Sequence, residues 1–213
     1  MKDEFRHAFK MIGKAFSLWW GDWVNQVMVS LVAVIFSITI ILAPAALLGI
    51  FQEADDLVNG TRTGIAGWWK GFKANFARSL LWGFVSLIVF AILGANIWFY
   101  YSMDTTWSPL LVGIFSILFL AWYQVQFYTL GFLFNQNEKN LRLAWKNSIL
   151  TILGAPFFNL IIGSFVLLLS ILSFGLILPL MVGTPALLTL LSLLAVRNRL
   201  EVYGKLPIAA DDE

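Results

Sequence analysis

The chain has no cysteine and a single histidine, His7. The first absence excludes disulfides and thiolate chemistry; the second leaves no imidazole set for a zinc site and no buried base for a Ser-His-Asp arrangement. There is no glycine-rich phosphate loop of the P-loop kind. Charge is scarce as well. Only 12% of the residues are Asp, Glu, Lys or Arg, and four runs, 24–52, 79–103, 105–137 and 147–196, contain none of them. No catalytic residue, metal site or cofactor site is expected.

What fills the chain instead is apolar: 60% of residues are hydrophobic and the mean hydropathy is +0.82. A bilayer core of about 30 Å takes roughly 20 apolar residues to cross as a helix, so the runs read as membrane helices. Barrel strands alternate apolar and polar positions, which these continuous runs do not. At 213 residues the chain has room for one membrane domain, 1–213, and no separate soluble one. The first apolar run is too long for a signal h-region, so the N-terminal segment is expected in the mature protein. The expected class is all-α: a polytopic helical membrane protein with five to six membrane helices and an N-terminal interfacial amphipathic helix over 1–22.

All 14 basic residues fall between and around the apolar runs. Lys2, Arg6, Lys10 and Lys14 precede the first; Arg62, Lys70, Lys73 and Arg78 follow it; Lys139, Arg142 and Lys146 precede the last; Arg197, Arg199 and Lys205 follow it. Cytoplasmic loops concentrate Lys and Arg. The expectation is a multi-pass cell-membrane protein with its C-terminal tail, 197–213, and its N-terminus cytoplasmic, and with connections near 102–109 and 173–175 outside. A single crossing between 24 and 58 would put the first two basic segments on opposite faces. Pro44 resolves this if it breaks the segment into a hairpin, since proline is tolerated at a helix start and not inside one. The returning arm from Pro44 to Val58 is then a re-entrant or tilted helix; the alternative is one kinked helix. The remaining helices are expected over 76–101, 109–134, 145–172 and 176–196.

Phe5, Phe9, Ile12, Phe16 and Trp19 recur at three and four residues, and Arg6, Lys10 and Lys14 form a row four apart. That pattern predicts a helix on the membrane surface with its basic row at anionic lipid headgroups. Trp68, Trp69, Lys70 and Lys73 predict a second interfacial helix. Glu53, Asp55 and Asp56 are the one carboxylate cluster, which suits a shared proton or cation or a solvated helix end. Inside the runs Asn96, Gln124, Gln126 and Asn159 are polar without being ionisable, which argues against proton coupling. Such amides join helices by hydrogen bonds or line a polar path. Pro44-Ala45-Ala46-Leu47-Leu48 is echoed by Pro185-Ala186-Leu187-Leu188, by duplication or by chance.

The Ala43-Pro44-Ala45-Ala46-Leu47 turn, the stretch Trp68-Trp69-Lys70-Gly71-Phe72-Lys73-Ala74-Asn75-Phe76 and the stretch Leu143-Ala144-Trp145-Lys146-Asn147-Ser148 resemble the YesL-like family of bacterial integral membrane proteins of unknown function. The resemblance implies an association with carbohydrate utilisation, including sugar uptake, and implies no catalytic residues. Two functions are compatible with these features. One is a non-enzymatic accessory or scaffold subunit that packs on a membrane permease or on itself; the other is a small oligomeric transporter or channel lined by the amides. The basic residues are spread along a membrane face, so no nucleic-acid partner is expected.

Overall fold

A computed structural model describes residues 2–176 and 183–205. Nine helices make up the fold among the described residues: α1 (Lys2–Gly21), α2 (Trp23–Ser37), α3 (Ala43–Val58), α4 (Gly64–Ala74), α5 (Phe76–Tyr101), α6 (Ser108–Phe134), α7 (Leu141–Gly154), α8 (Pro156–Leu176) and α9 (Thr184–Val202). Three of them, α5, α6 and α8, are long and apolar enough to cross a membrane. A fourth span results if α1 and α2, bent by 92° at their junction, count as one. Among the described residues this is fewer than the five to six expected. At a rise of 1.5 Å per residue, the 15 residues of α2 reach only about 22 Å.

The nine helices repeat in threes. Each unit opens with a helix (α1, α4, α7) that a single non-helical residue (Asp22, Asn75, Ala155) separates from a more apolar helix (α2, α5, α8). The opening helix is the shorter of the two in units two and three, while α1 has 20 residues against 15 in α2. Each closes with a helix whose second residue is proline: Pro44 in α3, Pro109 in α6 and Pro185 in α9. Proline there gives up a backbone N–H that would have no partner anyway, and its fixed φ suits a helix start. In every unit the residue four past the break, Gln26, Ser79 or Asn159, donates its backbone N–H to the carbonyl of the break residue. All three of those side chains are buried. The echo between Pro44 and Pro185 is therefore two members of a set of three.

The break at Ala155 corrects the single helix expected over 145–172. Proline at 156 disfavours helical backbone in the residue before it, and Ala155 sits at φ −141°, ψ 66°. Helix α8 then continues past the connection expected at 173–175. The start of the helix expected over 176–196 falls largely outside the described residues, and its described part runs on to Val202. Gln26, early in α2, bonds to Glu53, late in α3. The chain thus doubles back at Pro44 rather than passing through it as one kinked helix.

The three proline-headed helices pack against one another at the centre. Helix α3 buries Ala45, Leu48, Phe51 and Ala54, while α9 buries every residue from Thr189 to Val196. A helix apolar on all sides belongs inside a protein or a bilayer. Each central helix carries a unit-opening helix on its flank: α4 on α3, α7 on α6, and α1 on α9. The first two pairs are joined by brief loops. The third closes the ring between the two ends of the described chain.

Candidate functional site

Polar side chains gather where the central helices meet the helices around them. In unit one, Gln26 Nε2 donates to Glu53 Oε1 at 2.8 Å, and both residues are fully buried. Glu53 Oε2, Gln26 Oε1 and Ser30 Oγ have no hydrogen-bond partner. The carboxylates expected as one cluster each have different partners. Glu53 faces α2. Asp55 accepts from Arg197 Nη2 of α9 at 2.8 Å, and Asp56 accepts from Gln52 and from Thr63 Oγ1 at 3.0 and 2.9 Å. Glu53 is thus sealed in protein rather than placed at a solvated helix end. Among the described residues no group of three or more His, Asp or Glu side chains is arranged to hold a metal ion.

Arg197 ties the ends of the central helices together. Its Nη2 reaches Asp55 on α3, and its Nε donates to Asn135 Oδ1, just past the end of α6, at 3.0 Å. An open polar cavity of about 390 Å³ lies beside this bridge, walled by Asn59, Gln136 and Glu201. Lys139 sits 3.9 Å above the Phe134 ring, and burial, then Arg78, holds its ammonium below the usual lysine range. On the other flank, α1 docks through Glu4, whose Oε2 accepts from Phe158 N at 3.0 Å, and through His7 Nδ1, 3.1 Å from Asn198 Nδ2. Arg199 lies 3.9 Å over Phe158. Asn198 was not singled out in the sequence, and Arg197 was read only as one basic residue of the tail, because Asp55 and His7 lie 142 and 191 residues away from them.

The membrane amides separate into distinct tasks. Asn159 Nδ2 donates to the carbonyls of Thr151, Ile152 and Ala155, which satisfies backbone groups freed by the α7–α8 break. Gln124 Nε2 donates to Asn159 O at 2.5 Å and so joins α6 to α8. Asn96 bonds only to Ile92 O within its own helix. These three form no common polar face. Gln126 is different: its Oε1 accepts from Ser86 Oγ at 2.9 Å and from Trp145 Nε1 at 3.3 Å, and its Nε2 has no partner.

Gln126 also lines a half-open cavity of about 380 Å³ bounded by α3, α5, α6, α8 and α9. Its walls include Phe51, Trp82, Phe90, Tyr123 and Ser173. Ligand sites in proteins commonly have this size and this makeup, mostly apolar with a few convergent polar groups.

Of the residues expected at the membrane interface, Arg6, Lys10, Lys14, Lys70 and Lys73 are exposed, and Trp69 is 42% exposed beneath Lys73. Trp68 is enclosed by protein instead. It packs on Phe36 and Phe72, and its Nε1 donates to Ala46 O at 3.0 Å. Helix α1 buries Ala8, Met11 and Ala15 against its neighbours and leaves Phe5, Phe9, Phe16 and Trp20 outward. Small side chains let α1 lie close to α9 and keep its large aromatics for another medium. Comparison with known protein families, with curated proteins and with solved structures finds no match for this chain.

Proposed function

We propose that the chain is a non-enzymatic accessory or scaffold subunit of a membrane, which docks a partner membrane protein along its α5–α6 hairpin. The observation that carries this reading is how bare that hairpin is. Helix α5 buries only Ser79 and Ser86, and the buried positions of α6, Ser108 aside, begin at Val125. Between 87 and 124 the two helices meet each other, through Phe90 on Phe119 at 4.9 Å and Tyr100 on Phe115 at 5.6 Å. Their outer faces expose Leu87, Ile92, Trp98, Leu110 and Ile117. Gly94 and Gly113 have nothing within 4 Å of where a side chain would begin. Glycine inside a helix costs about 1 kcal/mol relative to alanine, and small residues are what let membrane helices approach closely.

The transporter reading has less support, because Asn96, Gln124 and Asn159 are each engaged with backbone carbonyls. Resemblance to YesL-like proteins supports a partner in carbohydrate uptake. Purification in mild detergent should recover such a partner with the wild-type protein and lose it with Gly94→Leu plus Gly113→Leu; equal recovery by both would end the hairpin proposal. For orientation, the placement of the basic residues supports a cytoplasmic N-terminus and a cytoplasmic C-terminus. A cysteine at Ser102 should react with an impermeant thiol reagent in intact cells, and one at Asn140 should not; the reverse labelling would invert the protein.

A further inference from the structure

We propose that the cavity between α3, α5, α6, α8 and α9 binds an apolar carbonyl compound dissolved in the membrane, of the quinone class. The argument starts from the Gln126 amide. The Trp145 indole N–H can only donate, so the Gln126 oxygen must face it, and Ser86 shares that oxygen. The amide orientation is thereby fixed, and Nε2 is left as a buried donor without an acceptor. Trp82 Nε1, from α5, is a second buried donor with no partner, and Ser173 Oγ, from α8, is a buried hydroxyl with none. All three residues line this one cavity, and their donor atoms lie just behind its apolar surface, within reach of a ligand once a side chain turns. Gln126 and Ser173 are 7% and 1% exposed.

Buried donors are satisfied in native proteins, by water or by a ligand. The cavity is otherwise apolar, so a ligand that recruits these donors must carry acceptor oxygens on an apolar body. A quinone offers two carbonyl acceptors on one flat ring, and the aromatic walls Phe51, Phe90 and Tyr123 suit a flat ring.

Depth separates this ligand from an ordinary phospholipid. Gln126 lies eight residues before the end of α6 at Phe134, about 12 Å along a helix. That places its amide well inside a hydrocarbon core of about 30 Å. The ester carbonyls of a phospholipid stay at the interface with the headgroup, whereas a free quinone can lie at this level.

The test uses the full-length protein in detergent. Equilibrium gel filtration measures its binding of a decyl-substituted benzoquinone and of decylbenzene, which has the same apolar body without carbonyls. Saturable one-to-one binding of the quinone is expected, with decylbenzene at least about tenfold weaker. Trp82→Phe removes a donor that nothing in the protein uses and should weaken quinone binding about fivefold to tenfold at an unchanged melting temperature. Gln126→Met should do the same; if losing the Trp145 contact prevents folding, the Trp82 variant still decides the matter. No saturable binding, equal affinity for decylbenzene, or unaltered affinity in Trp82→Phe would overturn the proposal. So would a co-purified phospholipid that the quinone does not displace. None of these results depends on partner capture by the hairpin, which is read separately by co-purification.

Discussion

Units one and three differ from unit two in one dimension, and that difference divides the molecule. The proline-headed helices α3 and α9 have 16 and 19 residues and are buried along most of their length, whereas α6 has 27 and is buried mainly over its last ten. The last stretch of α6 does what α3 and α9 do. The added stretch before it, with the matching part of α5, leaves the packed body as a two-helix projection. Within one architecture, then, burial follows contact with the other central helices rather than hydrophobicity, since the projecting segments are as apolar as the core. A core position has neighbours that resist change, and a projecting one has lipid or a partner, which does not.

The largest effect that would break this comparison is expected at glycine. A side chain begun at Gly131 would lie 2.6 Å from Ser192 Oγ and 2.9 Å from Ser192 O, and Ser192 is itself held to Phe127 O. Gly131→Leu should destabilise the protein by about 1 to 3 kcal/mol or more through overpacking. Gly113→Leu, on the projection, should leave the melting temperature of the isolated protein nearly unchanged. Equal loss of stability at the two sites, measured by thermal aggregation in detergent, would show that the projection is packed after all.

The next effect concerns the bridge at the helix ends. Arg197 and Asp55 keep 23% and 19% of their side-chain surface, so the pair is neither buried nor freely solvated. Arg197→Met strands the Asp55 carboxylate and should cost about 1 to 3 kcal/mol, less the part that water recovers. Arg197→Met combined with Asp55→Leu should restore part of that loss. Additive losses in the double mutant would mean that the bridge does not couple α9 to α3.

The smallest effect is a pH dependence of α1. Burial, then Arg199 and Arg6, holds the His7 imidazole below its ordinary value of 6.5; Lys10 acts in the same direction and Asp3 opposes it. A histidine whose folded pKa is depressed binds its proton less readily folded than unfolded. The docked state therefore keeps its full stability above pH 6.5 and loses some as the pH falls through and below that value. The proton would also take away the lone pair that faces Asn198 Nδ2, while Glu201 lines the same cleft. Protection factors of the α1 amides, with the base-catalysed rise of intrinsic exchange divided out, should accordingly be lower at pH 5 than at pH 8, and His7→Gln should flatten the difference. Identical protection factors at both values would leave α1 docked by Glu4 and the small-residue contact alone.

The fold was legible where local chemistry sufficed. The proline starts at 44 and 109, the limits of α5 and most of those of α6, and the amphipathic α1 all follow from patterns within a few residues. The proline start at 185 was passed over inside the helix expected over 176–196, although its echo of Pro44 was visible. The Ala155 break lay inside a charge-free run, although Gly154 and Pro156 flank it and give the signal that was passed over. The polar positions were less legible. Asp55 and Asp56 made Glu53 look solvated, and only the return of α2 alongside α3, 27 residues away, encloses it. Gln126 could be recognised as polar within a membrane run, but the cavity it lines is assembled from five helices.

The closure of the ring by α1 also bears on the order in which the contacts form. Thr63 beside α4 reaches back only seven residues to Asp56 on α3, whereas His7 must find Asn198 at a separation of 191. In an open chain that difference adds on the order of 3 kcal/mol of loop-closure entropy, at three halves RT per logarithmic unit. The α3–α4 and α6–α7 pairs can therefore assemble as each leaves the ribosome. The α1–α9 seam has to wait until α9 has been made, which leaves α1 the last of the described helices to find its partner on the central group.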